Sequence, residues 1–348
     1  MTCRGAPRCL CVRAHRVGAA SLTAVVGLVF ATSRASAQTG CTVTPSSIGP
    51  AADVCQKAND IFRFLVPQVG VAVAAGNPVP GEGGTMGGWG KRAFSLRLVG
   101  VDGQLPSNVV PLRLTGAAVA SDFGSSRSIV PLPALDAAIG LTEGIPLGLT
   151  NIGGVDVLLG VSALPKASSG GFSLDPKDKF GIAISYGARL GLLQESSIIP
   201  GVSVSYMRRK LPTVDFGYRS GNDTLSVAGT KVLANSIRLV ASKRIPLFGL
   251  AVGVGRDEIE GSSSVSATVN EQVNGVTQRA TVSLPLLAEK VTRTTAFVNA
   301  SVNLLVARVV AEFGWSNAGA SRQLVNSFGG HHADEGYRYG SIGLTTRF

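Results

Sequence analysis

Past its opening residues, this 348-residue chain has no apolar run of the roughly 20 residues that a membrane-crossing helix needs. Charge is scarce too: charged residues make up 15%, against about 25% in soluble proteins. Aromatics are 6%, with two Trp and five Tyr, and there are three histidines. The first shortage excludes a helical span beyond the opening residues, and the second speaks against an ordinary water-facing surface. Mean hydropathy is nevertheless +0.29. Apolar residues are therefore spread through the chain by alternation rather than gathered into runs.

Cysteine is thin as well, and its placement matters. Arg4, Arg8, Arg13 and Arg16 precede the apolar run VGAASLTAVVGLVFA, which leads to the small-x-small site Ala35-Ser36-Ala37. Residues 1–37 are expected to be a secretory signal peptide, cut near Ala37/Gln38. Of the five cysteines, Cys3, Cys9 and Cys11 leave with it. Cys41 and Cys55 remain as an even pair in an oxidising compartment, and a disulfide between them is predicted. Such a loop closure is worth roughly 3 kcal/mol in the chain-entropy model. Zinc is not expected, because the two remaining histidines lie far from this pair. The leader holds five of the 32 basic residues and no acid, which leaves 27 against 21 and a net charge of +6. No cluster of Lys and Arg interleaved with aromatics marks a nucleic-acid partner.

What is present is alternation. In FGIAISYGARLGLL, Phe180, Ile182, Ile184, Tyr186, Leu190 and Leu192 share one face, and Ser185, Arg189 and glycines share the other. The division recurs: Phe94, Leu96 and Leu98 against Arg97, Val155 to Val161 against Asp156, Val202 to Tyr206 against Ser203 and Ser205. It returns with Ile237 and Leu239 against Arg238, Phe248 to Val254 against glycines, Val298 to Leu304 against Asn299, and Val309 to Trp315 against Arg308 and Glu312. Turn signals such as EGIPLG, SGND and VNGV separate these segments. The second face carries Gly, Ser, Ala, Asn and isolated arginines rather than the Lys and Glu of a water-facing sheet. The pattern predicts an all-β fold, a transmembrane antiparallel β-barrel of about 12–14 strands over residues 91–348. Arg97, Arg189, Arg238, Arg308 and Glu312 are the candidate lumen-lining residues, able to set selectivity or to solvate the interior through salt bridges.

Residues 38–90 lack this rhythm. Val54, Ala58, Ile61, Phe62 and Leu65 form one helical stripe that is expected to stop at Pro67, followed by a short strand and a glycine-rich stretch. This short helical segment is read as a plug within the lumen, with a periplasmic cap or an amino-terminal linker as the alternatives.

The chain ends YRYGSIGLTTRF, with Ile342, Leu344 and Phe348 on one strand face. Ser341, Gly343 and terminal Phe348 resemble the last-strand signal by which Gram-negative outer-membrane barrels reach their insertion machinery; Thr346 departs from it. The leader, the amino-terminal segment, the strand number and Gly76-Asn77-Pro78 resemble the long-chain fatty-acid and aromatic-hydrocarbon transporter (FadL-type) family, whose plug ends in a similar Asn-Pro segment. Val79 departs from that motif. The resemblance implies an outer-membrane channel for passive uptake of small hydrophobic molecules, with membrane lipids and the insertion machinery as partners. The alternatives are a general diffusion porin and a structural or adhesive barrel, whose loop 259–278 would then matter most.

Enzymatic chemistry is not expected. Gly88, Gly90 and Ala93 fit a loose dinucleotide fingerprint, but strand-like FSLRLV follows where a helix belongs. The run His331, His332, Asp334, Glu335 reads as a solvated loop before the last strand. No catalytic residue, cofactor or metal is assigned.

Overall fold

The computed structural model describes residues 52–113, 115–169, 172–177, 181–273, 276–320 and 323–348. The cleavage site at Ala37/Gln38, Cys41 and Phe180 lie outside them. Among the described residues one helix, α1 (Ala52–Ala74), precedes a long succession of strands.

The strands are β1 (Arg92–Leu105), β2 (Ser126–Thr142), the small hairpin β3 (Ile145–Leu147) and β4 (Thr150–Ile152), and β5 (Val155–Ala163). Then come β6 (Ala167–Ser169), β7 (Phe172–Pro176), β8 (Ile182–Leu193), β9 (Gly201–Lys210), β10 (Val214–Ser220) and β11 (Asp223–Arg244). The last four are β12 (Phe248–Val273), β13 (Val276–Asn303), β14 (Arg308–Ser316) and β15 (Tyr337–Arg347). Thirteen of them form one antiparallel sheet, and β11 pairs with β12 to close it. The closed circuit runs β1, β2, β5, β8, β9, β11, β12, β13, β14, β15 and back to β1, which makes ten walls. β6, β7 and β10 continue three of those walls at one end.

A closed ring satisfies every backbone group along its walls, so it tolerates an apolar environment outside. The alternation then sorts side chains by face. Phe94, Leu96, Ile184, Leu239, Val252 and Phe313 are exposed on the outside, while Ser95, Arg97, Ser185, Arg189, Arg238 and Glu312 are buried inside. Apolar outside and polar inside is the reverse of a soluble protein, and defines a transmembrane barrel.

The two ends differ. One carries the short connections 194–200, 245–247 and 304–307, with both ends of the barrel chain; the other carries 106–125, 317–336 and the extensions. We call these the turn end and the loop end. Segment 259–278 is not a loop: β12 and β13 pair almost to its tip, from Phe248–Val302 up to Val273–Val276.

β2 escaped the alternation reading because Pro131 and Pro133 interrupt it, and proline is excluded from doubly paired strands. Both prolines face β1, opposite Gly100 and Leu98, but pairing with β5 begins only at Ala134. Each proline nitrogen is thus spared a partner.

Candidate functional site

The lumen is occupied by the chain's own amino-terminal segment. Between residues 52 and 88 only Gln56 and Arg63 are not buried. α1 does not stop at Pro67, which lies inside the helix, and Val69–Ala74 are helical rather than a strand. Wall contacts on all sides hold the helix through the hydrogen bond that proline cannot make, with Gly70 pressed on Ile259 and Gly261 on Val66. The buried stripe foreseen through Val54, Ala58, Ile61, Phe62 and Leu65 is therefore only part of a helix buried all round.

Polar side chains moor the helix at the loop end. Asp53 accepts hydrogen bonds from the Arg113 and Val119 backbone N–H groups at 3.0 and 2.9 Å, and Lys57 donates to Asp53 and to the Pro111 carbonyl at 2.7 and 2.8 Å. Asp60 accepts from Val325 N, Asn326 N and Asn326 Nδ2 at 2.8–3.0 Å. Phe64 stacks on Phe328 at 4.1 Å, and Phe328 on Phe123 at 5.4 Å.

The other end of α1 stops in mid-barrel, where its last carbonyls have no helical partner. Three lumen arginines take them. Arg238 Nη2 donates to the Ala74 carbonyl at 2.6 Å, Arg209 Nη1 to Ala74 and Ala75 at 2.7 and 3.1 Å, and Arg97 Nη1 to Ala75 at 2.9 Å. Cations at a helix carboxyl end are also favoured by its dipole. Arg97 and Arg238 are in turn paired with wall carboxylates, at 2.6 Å to Asp136 and 3.0 Å to Asp257; Arg189 reaches Asp156 at 2.7 Å. The cavity beside this collar, next to Arg97, Asp136 and Arg209, is about 10 Å³, room for one water at most.

From Ala75 to Gly90 the chain runs as a strap toward the turn end. Gly76 opens it at φ 90°, and a Cβ there would overlap the Arg97 guanidinium, so only glycine fits. Asn77 folds the next turn by accepting from Val79 N and donating to the Glu82 carbonyl, while its own N–H donates to Glu312 at 3.0 Å. Pro78 follows within this turn. Asn299 donates to Glu312 at 2.7 Å and accepts from Gly81 N at 3.0 Å. Farther on, Ser242 accepts from Gly83 N, Gln194 exchanges bonds with Thr85, and Asp156 accepts from Met86 N at 3.0 Å. Glu82 is buried among three arginines: Arg308 at 3.0 Å, Arg347 at 3.4 Å and Arg244 at 3.8 Å.

The foreseen lumen residues Arg97, Arg189, Arg238, Arg308 and Glu312 thus all face inward, and four of them bond residues 74–82 directly. Sequence reading missed Arg209 and Asp257, which sit at the inward parity of β9 and β12 and were open to that rule, and Asp136, which lies on the unread β2. It also missed Glu82, which no pattern marks in GEGG. Gly343 lies opposite Arg97, and Ser341 opposite Val99, in the β1–β15 seam. Phe348 closes that seam by exchanging backbone hydrogen bonds with Arg92 at 2.9 and 3.0 Å and packs edge-on to Phe94. Cys55 is buried on the first turns of α1. His331 and Glu335 pair at 3.0 Å, and Glu335 also accepts from His332 N, in the loop 317–336.

Wall, apolar exterior and internal mooring together define a transmembrane β-barrel of the outer-membrane type with its own residues 52–88 buried in the ring. Its fold is similar to the translocator domain of autotransporter NalP from Neisseria meningitidis, at TM-score 0.40 and 14% identity over 75% of this chain and 89% of that one. It is similar also to the outer membrane protease OmpT from Escherichia coli (TM-score 0.37, 12% identity, 74% and 96% covered) and to the Pseudomonas putida toluene transporter TodX (0.28, 10%, 74% and 89%). No family model and no curated relative matches the chain.

Proposed function

We propose that the protein is an outer-membrane channel for passive uptake of small, apolar molecules, closed at rest by its own residues 52–90. The observation that carries this reading is how the strap is held. It makes side-chain hydrogen bonds and ion pairs with the wall and no strand ladder, and its Glu82 clamp sits among arginines 12–31% exposed to solvent. Such a hold is strong enough to close and weak enough to release. The cavity of about 40 Å³ between α1 and the wall, lined by Leu65, Val69, Leu105, Leu164 and Phe172, is too small for such a ligand, so passage on this reading requires the segment to move. The filled lumen weighs against a general diffusion porin. On this reading the leader 1–37 is cleaved, Cys41 and Cys55 form a disulfide, Ser341, Gly343 and Phe348 serve insertion, and the loop end faces outward, since short turns face the periplasm in such barrels.

One observation favours a second reading. The amino end of α1 lies at the loop end, bonded to Arg113 and Val119, so the barrel would hold whatever precedes Ala52 toward the cell surface, as a structural or adhesive barrel. Planar-bilayer conductance of the intact mature chain against a variant lacking residues 52–88 separates these. Brief openings of the intact chain and a steady conductance of the variant support the gated channel. A steady conductance from the intact chain returns the diffusion porin, and silence from both leaves the structural barrel.

A further inference from the structure

At one level of the wall the outward face changes chemistry in register. Tyr206, Ile237, Arg256 and Thr294 lie side by side on β9, β11, β12 and β13. Toward the turn end the outward residues are apolar: Val202, Val204, Leu239, Val252, Val254 and Val298. Toward the loop end they become Arg208, Lys210, Lys231, Glu258, Glu260 and Lys290. Both acids are taken by Lys290, at 2.8 and 3.0 Å. Lys210 and Lys231 are exposed and have no ion-pair partner among the described residues, and Arg208 Nε is buried without a hydrogen-bond partner. The opposite rim is built otherwise: there Arg127 is held bidentately by Asp102 at 2.6 and 2.7 Å.

The unpaired cations sit at a built notch. β9 breaks after Lys210, at Leu211-Pro212-Thr213, before the wall resumes as β10, and Leu211 N donates to the Val232 carbonyl at 2.8 Å. The break leaves a cavity of about 670 Å³ in the wall, whose lining includes Lys210, Leu211, Lys231, Leu233 and the acids Glu260 and Glu289, the first paired with Lys290 and the second with Arg63 at 3.6 Å. Lys210 lies opposite Leu233, so Lys210 and Lys231 are diagonal neighbours, with Cα atoms roughly 7–8 Å apart. Two flexible ammonium groups at that spacing converge on one phosphate, and Leu211 and Leu233 offer apolar flank beside them. Like charges left together at the edge of an apolar band repel one another, and a bound anion relieves that repulsion.

We propose that this notch binds the phosphorylated headgroup of an outer-leaflet glycolipid, with Lys210 and Lys231 on the phosphate, Arg208 at its edge and the acyl chains along the apolar wall below. The inference rests on the outer-membrane orientation proposed above, and not on the lumen opening. Native mass spectrometry of the detergent-solubilised full chain, titrated with bis-phosphorylated lipid A, its dephosphorylated form and inorganic phosphate, tests it. The wild type should retain phosphorylated lipid A, and K210Q/K231Q should bind it about 30-fold more weakly, at about a tenfold factor per 1.4 kcal/mol and about 1 kcal/mol per basic residue. R127Q should match the wild type, and the heat-dependent gel mobility of every variant checks that it is folded. Equal retention by a folded K210Q/K231Q, or equal binding of the dephosphorylated lipid, would overturn the proposal. Inorganic phosphate binding as tightly as lipid A would overturn the lipid assignment. None of these outcomes depends on conductance, so a silent channel leaves the test intact.

Discussion

Replacing Glu82 with glutamine removes one charge from the centre of the strap's clamp and leaves its size unchanged. Glu82 is 4% exposed and faces Arg308 at 3.0 Å, Arg347 at 3.4 Å and Arg244 at 3.8 Å; Arg244 keeps a second partner in Glu195 at 3.1 Å. Breaking a fully buried pair costs about 3–5 kcal/mol. Because these arginines are partly hydrated, and one is already shared, the loss here is about 2 kcal/mol. The remaining moorings, Glu312 to Asn77, Ser242 to Gly83 and Asp156 to Met86, are untouched. The strap-released population should therefore rise about 30-fold. Single-channel recording in planar bilayers reads this as opening frequency. The wild type should show the same trend as salt is raised, since partly exposed ion pairs are screened. An unchanged opening frequency in a folded E82Q protein would refute the claim that this clamp holds the lumen shut.

Arg238→Met should lower thermal stability strongly, by about 3–5 kcal/mol, because it leaves Asp257 buried and unpaired and removes one of the two arginine donors to the Ala74 carbonyl. R238M/D257L should recover most of that loss; urea titrations followed by gel mobility compare the two, and an equal loss in both would count against the pairing argument. Gly83→Ala should raise opening frequency as E82Q does, since its Cβ would lie 2.7 Å from the Gly201 carbonyl oxygen, which is wall backbone and does not yield. In the loops, backbone donors Gly329 and Gly124 bond Asp122 and hold its carboxyl below the usual range. A lowered folded-state pKa stabilises above the unfolded value, near 4, and that stability is lost as pH falls through the folded one. The protection of the Gly329 amide, taken against its intrinsic exchange rate at each pH, should fall in acid for the wild type and show no such pH step in D122N; the same step in both would discard the contact.

The wall was legible because a strand has a period of two and the membrane asks one question of each face. Arg97, Arg189 and Arg238 were placed inside by parity alone, and parity carried further along β9 and β12 would have found Arg209 and Asp257, while Asp136 went with β2. β2 was lost because prolines forbid a central strand locally, and only the stagger between β2 and β5 makes room for them. α1 was cut short at Pro67 because propensity cannot know that a ring of strands will grip Val69 and Gly70. Glu82 was invisible, since its meaning comes from Arg244, Arg308 and Arg347, which are more than 160 residues away in sequence.

The strap runs directly into β1, and β1 is bonded along its length to β15, up to Phe348. The segment inside the ring is therefore fixed at one mouth by the covalent chain and leaves by the other at Ala52. That is a thread through the eye of a needle, not a stopper in a neck. A stopper departs by the way it came. This thread clears the bore only by drawing back everything ahead of Ala52, or by slackening where it lies. During assembly, the seam between β1 and β15 has to be sewn around a thread already in place, and a bulky folded cargo tied ahead of Ala52 would knot it there.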